Sequence, residues 1–517
     1  MRSNFVHQPC FGKVIMLAWT IYISFVGVLL LLLPTVTVRA SRLIALLTAI
    51  TALGLTIVAF VQQGTGTIVT VTRLPWVPSL GIEYHLGSDG ISLTLLLLTG
   101  IVAVAGILFS WNIEHRTKEF FAFYLALIGS VYGVFLSFDL FLLFVFYEIA
   151  IIPKYFLIAN WGSTRREYAA MKLALYSFVG SAMVLIGLIA AYVVAGAKTM
   201  NLADLAHFPF PLHFQMWAFP LAFVGFGILA GLWPFHTWAP TGHVAAPTAA
   251  SMLLAGVVMK LGAYGCLRVA MMLFPRGLDP WGFHVLGLGS WRDVFALLAL
   301  IGIVYGAMVA LVQRDFKFVV GYSSVSQMGF VLLGLMTLNL IGLSGAVLQM
   351  FSHGILAGLL FAVVGRMVYD RTHTRDLDSL EKMHLYKLIP FAAVSFVVAS
   401  MASIGLPGFS GFVAELHVLI GAWRAFPLYA VAAGFGIVIG VAYTWRAMQK
   451  AFIGNPKTDV SEPHPPLLPI SFPERIGAVI LIGVSLAVGL YPQLLLNRII
   501  PALSSPLFDG LRKGSWQ

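Results

Sequence analysis

Apolar residues dominate the chain in runs of about 20, separated by short polar segments that hold most of the charges. A run of this length is what an α-helix needs to cross the hydrocarbon core of a bilayer. A transmembrane β-barrel would show shorter segments of alternating apolar and polar residues, and this chain lacks that alternation. The pattern therefore predicts an all-α integral membrane protein with about 14 helices, near residues 14–34, 43–62, 90–112, 119–138, 140–160, 167–195, 215–235, 245–273, 292–312, 318–338, 342–369, 388–421, 427–450 and 474–496.

Two longer polar segments lie between these helices. Residues 73–89, RLPWVPSLGIEYHLGSD, are rich in Pro and Gly and predict a hairpin outside the membrane. Residues 455–473 are rich in Pro, which cannot continue a helix, and predict a loop.

Gly and Pro also interrupt two of the predicted helices, at GILAGLWPF in the seventh and SIGLPGFSGF in the twelfth. These breaks occupy matching positions in two blocks of five helices, which favours a pair of inverted repeats with two broken helices, as in secondary transporters. A broken helix exposes backbone polar groups at membrane depth, which is tolerated only beside a hydrated path. The predicted organisation is residues 1–118 for helices 1–3, 119–273 for the first repeat, 292–450 for the second repeat, and 474–517 for helix 14 and the tail.

Composition narrows the class of protein further. The 517 residues are 60% apolar and only 10% charged, which excludes a water-soluble enzyme. The two cysteines, Cys10 and Cys266, are too few for an iron–sulfur cluster, a closed zinc site or a disulfide framework. Any redox chemistry linked to this chain is therefore expected in a partner.

The formal charge of +11 is interpreted as a sign of topology rather than of nucleic-acid binding. Lys and Arg are more frequent in the loops of one predicted side than in the other loops and the two tails. The positive-inside rule then places both termini outside, on the periplasmic side of a bacterial inner (plasma) membrane. The first apolar run follows Lys13 and passes Leu33 without a cleavage motif, so it is expected to be a retained span.

A few ionisable residues fall inside the predicted spans, where charges are costly and usually functional. Glu148, Lys260 and Glu415 lie deepest and favour a proton relay, because burial and neighbouring charges can bring such groups into a range where they exchange protons. His353 joins them, with a satisfied core histidine as its alternative. Lys172 and Lys154 lie nearer the ends of their spans, and their alternative is snorkelling towards the interface. The predicted proton path comprises Glu148, Lys172, Lys260, His353 and Glu415.

Several motifs together resemble the antiporter-like membrane subunits of proton-pumping NADH:quinone oxidoreductase, respiratory complex I, and the M-type subunit in particular. The resemblance covers most of the chain, from Asp89 to Pro492. It rests on the segments WGSTRREYAAMKLALYS, WPFHTWAP, HVAAPTAASMLLAGVVMKLGAYG, DFKFVVGYSSVSQMGF, GLPGFSGFVAELHVLIGAW and GLYPQ.

The resemblance implies a fourteen-helix subunit that couples distant electron transfer to proton translocation. It carries the family's glutamates of the fifth and twelfth helices to Glu148 and Glu415, and the eighth-helix lysine to Lys260. The sixth-helix lysine falls on Lys172 and the eleventh-helix histidine on His353. It also implies that NADH, FMN, iron–sulfur clusters and quinone are bound by partner subunits, and that the partners are other membrane-arm subunits in the lipid bilayer.

The seventh helix departs from the family pattern. Leu229 stands where the family has its pumping lysine, and Gly231 stands where it has a helix-breaking proline, which favours a straighter helix around a dry site. Both acids of the following PDAHTEAP motif are lost, at Thr241 and Ala245, and Gln327 replaces a tenth-helix histidine. We therefore expect an impaired first half-channel, with Lys154 as a compensating cation.

Other functions remain open at this point. Related membrane proteins include subunits of multisubunit cation/proton antiporters, of membrane hydrogenases and of carbon-uptake complexes. A further alternative is a structural subunit that no longer conducts protons, which the residues at Leu229, Ala245 and Gln327 favour.

Overall fold

The computed structural model describes residues 15–66, 68–280, 288–454 and 467–512. Within this part of the chain, 12 helices are long and apolar enough to cross a membrane, and two shorter apolar helices join them. The all-α membrane architecture is therefore confirmed. Cys10, Lys13, both chain ends and residues 455–466 of the Pro-rich loop lie outside the described residues.

The helices follow the predicted order, with shifts of up to six residues at most ends. The seventh helix was predicted to end near residue 235, but it resumes after a break and ends at Ala245. We number them α1 Ala18–Leu32, α2 Val38–Gln62, α3 Gly90–Phe109, α4 Thr117–Leu136, α5 Leu140–Trp161, α6 Arg166–Val194, α7 Leu212–Ala245, α8 Thr248–Met271, α9 Trp291–Val312, α10 Phe316–Met336, α11 Leu340–Thr372, α12 Pro390–Ser403 with Ser410–Ala425, α13 Pro427–Ile453 and α14 Phe472–Leu490. The predicted last helix ran to residue 496, but α14 ends at Leu490 and a separate helix, α15 (Gln493–Leu503), follows. Pro492 disfavours helical geometry at Tyr491, which is the physical reason for this break.

The predicted hairpin is an antiparallel pair of strands, β1 (Val69–Val77) and β2 (Ile82–Ser88). Arg73 pairs with Glu83 across the two strands at 2.8 Å. His85 Nδ1 lies 2.9 Å from Asn201 Nδ2 in the α6–α7 connection, and burial lowers the pKa of His85 to about 4. The hairpin therefore packs on a neighbouring loop through a neutral histidine.

The helices sort into a buried centre and a lipid-facing perimeter. The most apolar windows of α8 and α11 are fully buried, and that of α3 is 94% buried. The corresponding window of α13 is only 28% buried, and its exposed side chains are apolar. Apolar side chains can face lipid without penalty, whereas polar side chains cannot. The polar groups within the membrane are therefore expected on the central helices.

Both predicted breaks occur, each at a glycine with positive φ. Gly231 has φ of 84° and ends the first part of α7, and Gly405 has φ of 80° between the two parts of α12. Only glycine adopts this left-handed geometry without steric cost. The expectation that Gly231 would straighten the seventh helix is therefore wrong, because its freedom at φ breaks the helix where the family uses proline.

Three central or adjacent helices also contain π-helical turns. They cover Leu254–Val258 and Cys266–Met271 in α8, Ala362–Tyr369 in α11 and Gln449–Ile453 in α13. A π turn shifts the backbone hydrogen bonds by one residue and frees carbonyl groups for other donors. In α8 these turns flank Lys260.

The loops gather on two opposite sides, as the alternation of the predicted helices requires. On one side Arg292 Nε donates to the Met336 carbonyl at 2.9 Å, and Asn339 Nδ2 donates to the Gly421 carbonyl at 2.9 Å. On the other side Arg375 donates to the Val244 carbonyl at 3.1 Å. Each arginine therefore holds together connections that the sequence places on the same face.

Candidate functional site

Lys260 lies at the centre of the buried helices and is fully inaccessible to solvent. Its Nζ donates to the carbonyl of Ala255, in the π-helical turn that precedes it. The same Nζ lies 2.9 Å from Nδ1 of His353 on α11. The structure thus brings together two of the predicted site residues, and a free backbone carbonyl holds the lysine in place.

Glu415 lies on the second part of α12 and is 3% exposed. Its Oε1 accepts a 2.9 Å hydrogen bond from Gln327 Nε2 of α10. The break in α12 provides the space for this carboxylate, because a Cβ on Gly405 would lie 2.7 Å from Glu415 Oε2. A glycine is therefore required here both for its positive φ and for its lack of a side chain.

A substitution at this glycine should show how far the site depends on the break. We expect Gly405→Ala to cost about 1–2 kcal/mol of stability from the left-handed backbone alone, and to displace the Glu415 carboxylate. Gly434→Ala on α13 is the matched control, since nothing lies within 4 Å of its added Cβ. Thermal unfolding of the purified complex and proton translocation in vesicles measure the two effects; equal behaviour of the two variants would contradict this account.

Two glutamines connect Glu415 towards the lysine–histidine pair. Gln349 of α11 donates from Nε2 to Oε1 of Gln327, which in turn donates to Glu415. Gln349 lies four residues before His353, on the same face of α11. The pair Lys260–His353 and the hydrogen-bonded group Gln349–Gln327–Glu415 therefore lie next to each other across α8, α11, α10 and α12, and we call these five residues the buried line. No hydrogen bond joins the two groups among the described residues.

Glu148 and Lys154 form a second, smaller group in α5. Lys154 is 1% exposed, so it does not snorkel, and Glu148 lies within electrostatic range of it. The helix is irregular at Ala150, between the two residues, and Pro153 follows directly in the next turn. Oε1 of Glu148 is buried without a hydrogen-bond partner among the described residues.

Lys172 on α6 is partly exposed and lies apart from the buried line. Its Nζ donates to Thr241 Oγ1 at 3.4 Å and lies 5.9 Å from the centre of the Tyr168 ring. Thr241 occupies one of the positions where the family has an acid. Lys172 therefore contacts a hydroxyl where the family pattern would supply a carboxylate.

Leu229, at the lost lysine position, is 2% exposed near the end of the first part of α7. The backbone carbonyls around it already have donors: Trp238 Nε1 donates to the Ile228 carbonyl at 2.8 Å, and Leu232 N to that of Gly227 at 2.9 Å. The surroundings of Leu229 are thus packed and internally satisfied.

Sequence reasoning missed several buried polar residues. Gln349 could have been found from its spacing of one helical turn from His353. His243 is fully buried, and both of its ring nitrogens lack partners in the described part of the chain. Lys317 is 3% exposed and donates to the Ala246 carbonyl at 2.7 Å, close to the start of α8.

The largest omission is a buried ion pair between Arg268 of α8 and Asp89. Both side chains are almost inaccessible, and Asp89 also caps the N-terminus of α3 through Ile91 N and Ser92 N. Arg268 lies eight residues after Lys260, close to the same helical face. The pair ties α3 to α8 at the end of the helix opposite to the Lys317 contact.

No group of three His, Cys, Asp or Glu side chains in the described ranges could hold a metal ion. The buried line instead contains groups that take up and release protons (Lys260, His353 and Glu415) linked by carboxamides that do not. Such an arrangement is suited to moving protons or to sensing charge within the membrane.

Comparison with known proteins places this arrangement in a family. The sequence model described as "NADH:quinone oxidoreductase/Mrp antiporter, TM" matches residues 137–440, which include every residue of the buried line. The chain belongs to this family. NADH-quinone oxidoreductase subunit M of Rhodobacter capsulatus is 35% identical over 438 residues, covering 82% of each chain. NAD(P)H-quinone oxidoreductase chain 4 2 of Thermosynechococcus vestitus is 36% identical over 431 residues, 82% of this chain and 78% of the relative.

Solved structures agree with this family. A chain of respiratory complex I from Thermus thermophilus superposes with a TM-score of 0.84 and 27% identity, over 96% of this chain and 99% of the other. A chain of the Mrp complex from Dietzia has a TM-score of 0.83 at 21% identity, over 97% and 99% of the two chains. The latter shows that the fold is shared with Mrp-type assemblies.

Proposed function

We propose that this protein is a membrane-arm subunit of an NADH:quinone oxidoreductase, in which it couples electron transfer to proton translocation. Its relatives are named as quinone oxidoreductase subunits, and its fold matches a chain of respiratory complex I. The observation that carries the proposal is the fully buried Lys260 hydrogen-bonded to His353, since a membrane protein keeps such a costly group for function.

In this proposal the chain is a translocase component without a redox centre of its own. NADH, FMN, the iron–sulfur clusters and quinone are bound by partner subunits, and neighbouring membrane-arm subunits and the lipid bilayer surround this chain. The proton path includes Lys260, His353 and Glu415, whereas Glu148 and Lys172 belong to the impaired first half-channel. The first half-channel is assigned as impaired because Leu229 provides no ionisable group at the position where the family has its lysine.

We also propose the topology and organisation expected from the sequence. Residues 119–273 and 292–450 form the two inverted repeats, between residues 1–118 and 474–517. The matching breaks at Gly231 and Gly405 support the repeat. The protein spans the bacterial inner membrane with both termini on the periplasmic side.

Lys154 is proposed to replace the missing seventh-helix lysine as the cation that faces Glu148. Lys154→Met should leave Glu148 without the nearby buried cation and reduce the amount of assembled complex, because an uncompensated charge in the membrane interior is costly. The double variant Lys154→Met/Glu148→Gln removes both charges and should recover assembly. Native gel electrophoresis of membranes measures this; equal losses in the single and double variants would show that the two residues do not compensate each other.

The proposal is tested directly by purifying the complex through a tag on this subunit. We expect co-purification with NADH-binding and quinone-site subunits, together with NADH-dependent quinone reduction. Recovery only with cation-antiporter subunits, and sodium/proton exchange without quinone reduction, would favour the alternative of a multisubunit cation/proton antiporter, with which the fold is shared. Recovery with hydrogenase or carbon-uptake subunits would reassign the chain to those assemblies.

A further inference from the structure

The buried line between Lys260 and Glu415 has a direction. Gln327 Nε2 donates both to Glu415 Oε1 at 2.9 Å and to the Ser403 carbonyl at 3.1 Å. If the carboxamide were reversed, its oxygen would face these two acceptors and lose both hydrogen bonds. Gln327 is therefore fixed as a donor towards Glu415.

This orientation determines that of Gln349. Because Nε2 of Gln327 is used by Glu415 and Ser403, its Oε1 is the atom left to accept from Gln349 Nε2, as observed. Gln349 is 2% exposed, and its own Oε1 is buried without a partner among the described residues. The glutamine pair thus ends in an acceptor on the α11 face that also carries His353.

His353 completes the polarity of the line. Its Nδ1 lies against Lys260 Nζ, and its Nε2 is a second buried polar atom without a partner in the described ranges. A protonated Nε2 and the acceptor Gln349 Oε1 lie one helical turn apart without a direct hydrogen bond, and a single water molecule would join them. With Nε2 protonated, neutral His353 presents Nδ1 as an acceptor, which fits the ammonium form of Lys260.

We propose that Gln327 and Gln349 form a carboxamide relay that couples the charge states of Glu415 and Lys260 without conducting a proton. The relay as observed favours the carboxylate of Glu415 together with the ammonium of Lys260. When Glu415 takes up a proton, the hydrogen bond from Gln327 Nε2 loses the negative charge of its acceptor and becomes weaker, which loosens the hydrogen bond from Gln349 to Gln327 as well. Release of the Lys260 proton to water is then favoured, so one proton joins Glu415 as another leaves Lys260.

This inference rests on the proposed function and gives Gln349 the role of a positioning residue. A carboxamide does not take up or release protons under physiological conditions, so Gln327 and Gln349 do not themselves carry a proton between Glu415 and His353. Gln327 stands where the family has a histidine. The replacement therefore exchanges a side chain that can take up and release a proton for one that can only donate and accept hydrogen bonds. In this chain the charge states of Glu415 and Lys260 are thus coupled by the direction of the hydrogen bonds between them, and not by a titrating side chain.

The test uses variants of Gln349 in the intact complex, assayed in inverted membrane vesicles. Gln349→Met keeps the size of the side chain but removes the hydrogen bond to Gln327, and should lower the number of protons translocated per quinone reduced below the wild-type value. Gln349→Glu, whose protonated carboxyl group can donate and accept in the same places, should largely restore the ratio. Ser352→Ala, on the same helix and bonded to Ser410 instead, is the control and should leave the ratio unchanged.

A double-mutant cycle tests the coupling itself. Glu415→Gln should lower the ratio strongly in the wild-type background and add little in Gln349→Met, because the two sites are then already disconnected. Should Gln349→Met fail to assemble, Gln349→Asn breaks the same contact by shortening the side chain and replaces it in the cycle. A wild-type ratio in the Gln349 variants, or an equal effect of Glu415→Gln in both backgrounds, would overturn the relay. Loss of translocation in Lys260→Ala alongside that result would leave the proposed function intact, whereas normal translocation in Lys260→Ala would refute the proposed proton path through Lys260.

Discussion

Lys260→Ala is expected to abolish most of the proton translocation that depends on this subunit while the complex still assembles. The substitution removes the ammonium group that lies 2.9 Å from His353 Nδ1 in the buried centre. Groups that take up and release protons typically accelerate transfer by about 10²–10⁴-fold, so the translocation rate should fall at least about tenfold. Acidification of inverted vesicles during NADH-dependent quinone reduction measures this effect.

Two further variants separate charge from packing. Lys260→Met keeps the length of the side chain and removes the ammonium group, and should behave like Lys260→Ala. Lys118→Ala is the control, because this lysine only donates to loop carbonyls of Leu33 and Pro34 at 3.4 and 3.2 Å. Wild-type translocation in Lys260→Met would mean that the buried lysine serves the structure and not the proton path.

Much of the fold follows from physical requirements that are visible in the sequence. A bilayer demands helices of a fixed minimum length, so apolar runs locate α1 to α14 with errors of a few residues at most ends, although α7 extends to Ala245, well past its predicted end. The breaks in α7 and α12 are also visible, because Gly and Pro are the residues that interrupt a helix. The π-helical turns of α8 have no comparable signal, since their residues are as apolar as those of the neighbouring turns.

The site is only partly readable from the sequence. An isolated ionisable residue in an apolar run is conspicuous, which is why Lys260, His353 and Glu415 stand out. Gln349 and Gln327 matter only because α10, α11 and α12 bring them into one line, and this depends on tertiary packing. Arg268 was overlooked because its partner, Asp89, precedes it by 179 residues.

The second large effect is expected at Leu229, where the family has a lysine, and it concerns assembly of the complex. Leu229→Lys should prevent assembly, because it places an additional cation in a packed region of the membrane interior. Inserting an unpaired lysine at membrane depth costs about 2.5–3.5 kcal/mol, and the carbonyls of Gly227 and Ile228 already accept hydrogen bonds. The sequence had suggested a dry site through a straight helix, whereas the structure has a broken helix whose freed carbonyls are occupied by Leu232 and Trp238.

The informative variant moves the cation instead of adding one. In Leu229→Lys/Lys154→Met, the ammonium group returns to α7 and leaves α5, so Glu148 again has one cationic partner and the number of buried charges is unchanged. Tyr147, next to Glu148, packs against Phe226 of α7 with ring centres 5.5 Å apart, so the two helices are in contact one turn before Leu229. We expect native gels to show little complex for Leu229→Lys, normal complex for the volume control Leu229→Met, and substantial recovery for the double variant. Normal assembly of Leu229→Lys alone would contradict this prediction. It would mean that the region around Leu229 is hydrated and that Lys154 is not the cation that compensates the charge of Glu148.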